Sequence, residues 1–221
     1  MDFDLLVFDL DGTLIDSALD LSLAVNATRA DAGLAPLPHE TIHGYVGDGA
    51  PMLIRRALGP EASEPEVERS LAFFVAYYRE HLLDNTALYP GVREALDGWL
   101  DEGRTMAVLT NKPVRMSEAI VDGLGLAGHF QRVYGGNSFE TKKPDPYGLA
   151  RIVAELEGNR ERTLMVGDSA VDVRTARNAG IASAGVTYGL RPETFVEHPP
   201  DLLVDSMGEL AERIRRRGAA A

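Results

Sequence analysis

Leu5-Leu6-Val7-Phe8-Asp9-Leu10-Asp11-Gly12-Thr13 is the stretch on which the reading of this chain turns. Its four leading apolar residues read as a buried strand. The strand stops at two carboxylates, Asp9 and Asp11, two residues apart. Such acids repel each other and resist desolvation, so a strand end shaped for stability alone would not carry them. A bound cation resolves the conflict, and hard oxygen ligands favour Mg²⁺. Gly12 then frees the backbone to turn, leaving an N–H able to face an anion.

Working outward, similar apolar runs occur at Met106-Ala107-Val108-Leu109, Arg132-Val133-Tyr134, Leu164-Met165-Val166 and Ala184-Gly185-Val186. Between them lie segments of helical period, such as Val92, Ala95, Leu96, Trp99 and Leu100. Strands alternating with helices predict an α/β fold, a Rossmann-like parallel sheet with helices on both faces. Roughly ninety residues separate the first two strands, far beyond an ordinary crossover. The spacing predicts an all-helical insert over 17–88, with the α/β core in 1–16 and 89–221. Ser17 reads as the N-cap of a helix carrying Leu19, Leu23, Ala27 and Ala30. The helix after Pro65 carries Val67, Leu71, Phe74, Tyr78 and Leu82, which read as a packing stripe.

Three further strand ends carry polar residues. Thr110 and Asn111 can donate to phosphoryl oxygens, although Thr-Asn is also ordinary turn material. Lys142 and Lys143 precede Pro144-Asp145-Pro146 and also read as a solvated charge pair. Asp168 and Asp172 read equally as an N-cap and a first-turn acid facing the helix dipole. Taken together they are more specific. The strand ends of an open α/β sheet share one crevice, and these carboxylates, neutral donors and a lysine suit a phosphoryl group around a metal.

Composition narrows the partners. The chain has 221 residues, no cysteine and a formal net charge of −12. A nucleic-acid binder wants a basic patch, and the one basic run, Arg213 to Arg217, reads as favourable charge closing a last helix. The terminal Ala219-Ala220-Ala221 reads as frayed. No segment has the roughly 20 apolar residues of a membrane span, and the acidic start does not suit a signal peptide; the cytoplasm is the expected location. Oligomeric state is left open between monomer and dimer. Of the 22 basic residues only Lys112, Lys142 and Lys143 are lysines, and all three adjoin the motifs. A lysine kept against this bias points to a compact charge in a tight space.

With these motifs in this order, the sequence resembles the haloacid dehalogenase superfamily over nearly its whole length. The residues carrying the resemblance are Asp9-Leu10-Asp11-Gly12-Thr13, Lys143-Pro144 and Gly167-Asp168. True dehalogenases of the superfamily lack the second aspartate, so Asp11 favours a phosphotransferase. Gly44-Tyr45-Val46-Gly47-Asp48-Gly49 and Gly167-Asp168-Ser169-Ala170-Val171-Asp172 look like the phosphoglycolate phosphatase branch, whose helical cap the insert resembles.

The resemblance implies a Mg²⁺-dependent phosphomonoester hydrolase acting through an aspartyl-phosphate. Asp9 is the implied nucleophile and Asp11 the general acid and base. Gly12, Thr110, Asn111 and Lys143 are the implied phosphate ligands. Metal binding falls to Asp9, Asp168 and the backbone carbonyl of Asp11, with Asp172 orienting a metal water or the lysine. The expected substrate is 2-phosphoglycolate, its carboxylate meeting N–H groups at Gly47 and Gly49; Arg55 and Arg56 are further candidates but read better as surface arginines. The alternatives are a pyrophosphatase, a sugar-phosphate phosphatase or phosphomutase, and a non-catalytic binding module.

Overall fold

The computed structural model describes residues 2–214; Arg215, Arg216 and Arg217 of the basic run and the terminal alanines lie outside them. The chain begins with β1 (Leu5–Phe8), then a short β2 (Ile15–Asp16), followed by α1 (Ala18–Asp31), α2 (His39–His43), α3 (Ala50–Leu58) and α4 (Glu64–Glu80). β3 (Ala87–Leu88) returns antiparallel to β2, so the helical insert leaves and re-enters the core along one two-stranded ribbon. The remainder alternates as α5 (Val92–Asp101), β4 (Thr105–Leu109), α6 (Val114–Gly123), β5 (Arg132–Tyr134), α7 (Tyr147–Glu155), β6 (Thr163–Gly167), α8 (Ala170–Ala179), β7 (Ala182–Val186), β8 (Leu202–Val204) and α9 (Met207–Arg213).

The main sheet has the order β5-β4-β1-β6-β7-β8, with every pairing parallel. Side chains alternate across a strand, and here both faces are buried. Leu6, Phe8, Met106 and Val108 pack on one side with Trp99 and Ile120, and the Phe8 and Trp99 rings stack at 5.6 Å. Leu5, Val7, Ala107 and Leu109 pack on the other with Leu149 and Ile152. A parallel sheet covered on both faces produces the unbroken apolar run of β1. The expected α/β architecture with an inserted helical cap is the one observed. β8 extends it at one edge, where Leu203 is half exposed, and had no counterpart among the expected strands. No helix among the described residues is long and apolar enough to cross a membrane.

One expected face is reversed. Leu19 and Leu23 of α1 lie largely exposed, while Leu21, Ala24, Val25 and Thr28 are buried. The helix is apolar on more than one side, so periodicity admits two registers, and packing against α4 selects one. Ser17 stands at the N-cap position, yet its hydroxyl makes no capping bond. It donates instead to Asp11 Oδ1 at 2.6 Å. The two ends of the helical insert are tied by Asp20, whose buried carboxylate accepts the Asn85 N–H and Nδ2–H and the Thr86 N–H and Oγ1–H at 2.7–2.9 Å.

Candidate active site

Register puts the motifs side by side. Phe8 is level with Val108 on β4 and with Val166 on β6. Asp9 therefore leaves the sheet level with Leu109 and Gly167, one residue before Thr110 and Asp168, where strand order reverses around β1. Asp9, Asp168 and Asp172 are all buried and each offers a carboxylate oxygen within 4.8 Å of the others. Asp9 Oδ1 accepts the Leu10 N–H at 2.7 Å and faces Lys143 Nζ at 2.9 Å. Lys143 Nζ also donates to Asp172 Oδ1 at 2.6 Å. The other Asp172 oxygen accepts the Ser169 N–H and Oγ–H, closing a capping box on α8. Asp168 Oδ2 accepts the N–H groups of Leu190 at 2.7 Å and Arg191 at 3.3 Å.

Three carboxylates around one ammonium leave the cluster short of positive charge. Burial pushes the Asp9 carboxyl up to about 6, against the pull of Lys143. Burial, with the charges of Asp172 and Asp9, holds Asp168 well above the usual carboxylate range. Burial alone would lower Lys143, but Asp172 and Asp9 outweigh it and raise it. Asp9 Oδ2 and Asp168 Oδ1 accept no hydrogen bond among the described residues. Buried, mutually repelling, hard oxygen donors with free lone pairs fit a divalent cation. Asp172 has both oxygens engaged, which suits an orienting role beside the cluster.

Groups on other expected site residues are engaged by neighbours of their own. The Asp11 side chain is outside the acidic cluster: Lys112 Nζ donates to its two oxygens at 2.9 and 3.2 Å, and Ser17 holds the first as well. Only the Asp11 backbone carbonyl is left for a metal. The Gly12 N–H is spent on the Ile15 carbonyl, so the glycine does not offer it to an anion. Its value is steric: φ is +80°, and a Cβ there would lie 2.1 Å from Asp168 Oδ2. Asn111 is corrected too. Its Nδ2 donates to the carbonyls of Gly47 at 2.8 Å and Lys143 at 3.0 Å, so the amide ties the cap turn and the lysine loop together. The Thr110 hydroxyl and the backbone N–H groups of Asp11 and Asn111 remain for phosphoryl oxygens.

The cap closes over this crevice and leaves a cavity of about 50 Å³. Phe74 and Tyr78 of α4 form part of its wall, so the aromatic stripe is both packing and site. Arg55 pairs with Glu64 and Arg56 with Asp48, and neither lines the cavity. Gly47 and Gly49 do line it, and no acceptor meets the N–H of Gly47, Asp48 or Gly49 among the described residues. Arg191 also lines the cavity. It donates to the Val46 carbonyl and lies 3.8 Å from Asp48 and 3.9 Å from Glu193, the latter at its buried Nε, which has no hydrogen-bond acceptor. Nothing local marks Arg191, because the 145-residue separation from Val46 carries no pattern. The lysine bias did mark Lys112 and Lys142: Lys112 is buried on Asp11, and Lys142 Nζ donates to the Asp48 carbonyl.

A parallel α/β sheet with a helical cap over an acidic crevice defines a class, and comparison with known proteins agrees with it. The chain belongs to the haloacid dehalogenase-like hydrolases, whose family model matches residues 6–186. It is a phosphatase of the phosphoglycolate phosphatase-like branch. A phosphoglycolate phosphatase of Chromobacterium violaceum is 41% identical, over 94% of this chain and 95% of that one. Another, of Agrobacterium fabrum, is 37% identical, over 98% and 96%. The crystal structure of a predicted phosphoglycolate phosphatase from Haemophilus somnus 129pt superposes with a TM-score of 0.91 at 31% identity, covering 96% of this chain and 98% of that one.

Proposed function

We propose that this phosphatase hydrolyses 2-phosphoglycolate through a phospho-aspartate on Asp9. The observation that carries the reading is the state of Asp9. It is buried at a strand end, with one oxygen fixed by Leu10 and Lys143 and the other free of donors, beside the cavity that the cap covers. Asp9 attacks phosphorus, the bond to the alkoxide breaks, and Asp11 gives that alkoxide a proton. Water then attacks the phospho-aspartate and yields its proton to Asp11. Phosphate leaves and the Asp9 carboxylate is restored. Lys143, the Thr110 hydroxyl and the free N–H groups of Asp11 and Asn111 take the charge on the transferring oxygens. Mg²⁺ fits the Asp9 and Asp168 oxygens with the Asp11 carbonyl, and when bound it supplies charge neutralisation for an anion meeting an anion.

The cap supports the choice of substrate. Arg191 and the N–H groups at Gly47, Asp48 and Gly49 offer unsatisfied donors beside an otherwise largely apolar cavity. A substrate carboxylate satisfies such donors, and an analogue lacking it leaves them unpaired. The relatives named phosphoglycolate phosphatase point the same way. The test is kcat/KM for 2-phosphoglycolate against ethyl phosphate, pyrophosphate and glucose phosphates, with mass-spectrometric trapping of the phosphoryl group on Asp9. A tenfold preference for pyrophosphate or a sugar phosphate, about 1.4 kcal/mol in the transition state, overturns the substrate. Trapping on another residue overturns Asp9.

A further inference from the structure

The steps above make no use of Lys112, although it is buried and enclosed by functional groups. It follows Asn111 beyond the end of β4 and is 6% exposed. Its Nζ donates to Asp11 Oδ1 at 2.9 Å, to Asp11 Oδ2 at 3.2 Å and to the hydroxyl of Tyr78 at 2.7 Å. Tyr78 belongs to α4 in the cap, is 1% exposed and stacks its ring on Phe74. An unbroken line of contacts therefore runs from a cap helix, through a core ammonium, to the carboxylate that transfers the proton. Burial alone would favour neutral Lys112, but Asp11 and then Tyr78 outweigh it and keep the ammonium charged. A guanidinium is too broad to touch both partners in such a space, which accounts for a lysine in a chain that otherwise uses arginine.

We propose that Lys112 is the positioning residue for Asp11, and that Tyr78 makes this positioning depend on the cap being closed. The inference rests on Asp11 being the general acid. Two donors, Lys112 and Ser17, fix the carboxylate. Displacing a reacting group by about 1 Å lowers the rate on the order of a hundredfold. When the cap lifts, Lys112 loses its Tyr78 partner and Asp11 loses its fixed place. Proton delivery then belongs to the closed, water-excluding state.

The test uses Tyr78→Phe, which removes only the hydroxyl and keeps the ring stacking, Lys112→Met, and Asp11→Asn as the reference. Each is assayed for kcat/KM, which reports steps up to formation of the phospho-aspartate. The substrates are 2-phosphoglycolate, ethyl phosphate and acetyl phosphate. The first two release an alkoxide that needs a proton; acetyl phosphate is close to ethyl phosphate in size and releases acetate, which does not. Tyr78→Phe is expected to lower both alkyl phosphates about tenfold and Lys112→Met about a hundredfold, within the range of general acid catalysis, with acetyl phosphate changed less than about threefold. Equal losses on all three substrates, or none, make the contact structural and overturn the proposal. A loss confined to 2-phosphoglycolate makes Lys112 a carboxylate ligand and overturns it too. If Lys112→Met does not fold, Tyr78→Phe decides alone. If Asp11→Asn itself treats ethyl and acetyl phosphate alike, the acid role of Asp11 fails and the proposal falls with it. A selective Asp11→Asn beside unselective Lys112 and Tyr78 variants removes the positioning claim only.

Discussion

Replacing Lys143 by arginine keeps the charge and changes the shape, which isolates what the site requires of this residue. Lys143 is 3% exposed and its Nζ lies 2.9 Å from Asp9 and 2.6 Å from Asp172. Arginine adds two heavy atoms and a planar head where there is no free space. Overpacking a buried position costs about 1–3 kcal/mol, or roughly 2–12 °C in Tm for a chain of this size. The larger effect falls on rate. The guanidinium must push Asp9 or Asp172 aside, and a shift of about 1 Å at the proposed nucleophile lowers turnover on the order of a hundredfold. Lys143→Arg is thus expected to lose about 10²- to 10³-fold in kcat/KM while remaining folded. Lys143→Met sets the lower limit: it leaves two buried carboxylates without their cation, which costs about 3–5 kcal/mol, and removes measurable activity. Phosphate release and thermal unfolding on the three proteins supply the numbers. An arginine variant within threefold of the parent rate refutes the requirement for a compact charge.

Asp9→Asn is expected to abolish turnover, and its metal-free Tm at pH 8 should not fall below that of the parent, because burial already disfavours the ionised Asp9. The raised Asp9 pKa also sets a pH dependence. The stability of the protonated form is present below the unfolded value of 3.8 and lost as pH rises through about 6. On the proposed mechanism Mg²⁺ would relieve the charge that destabilises the neutral-pH enzyme, so chelation should stop turnover and the Tm gain on adding Mg²⁺ should be larger at pH 7.5 than at pH 5; an equal gain at both refutes the linkage. Asp20→Ala should destabilise the protein by about 3 kcal/mol at pH 7, since hydrogen bonds to a charged group are worth roughly 1.5–3 kcal/mol each and act here together. Those bonds hold the Asp20 carboxyl below its usual value despite burial. The difference should shrink in acid, as the parent protonates Asp20; urea titrations at pH 7 and pH 3 give the comparison.

The fold and the centre of the site were legible because both are written in local patterns. A buried parallel strand must be apolar throughout, as in Leu5 to Phe8, and an aspartate directly after it stands at the strand mouth whatever the distant chain does. The turn at Gly12 is likewise short-range; the N-cap of α8, expected at Asp168, falls one residue later at Ser169, where a capping box with Asp172 closes. Tertiary contact decided the rest, because no periodicity records it. The exposed and buried sides of α1 exchanged roles when α4 packed against it. Gly12 kept its place for lack of a Cβ rather than for its N–H, since the closeness of Asp168 is set by the pairing of β1 with β6. Asn111 gave its amide to Gly47, 64 residues away, and Lys112 met Tyr78 across 34 residues. Such pairings depend on how a helical cap descends on a sheet. That depends on the summed packing of many apolar side chains, in which no single residue carries a readable signal.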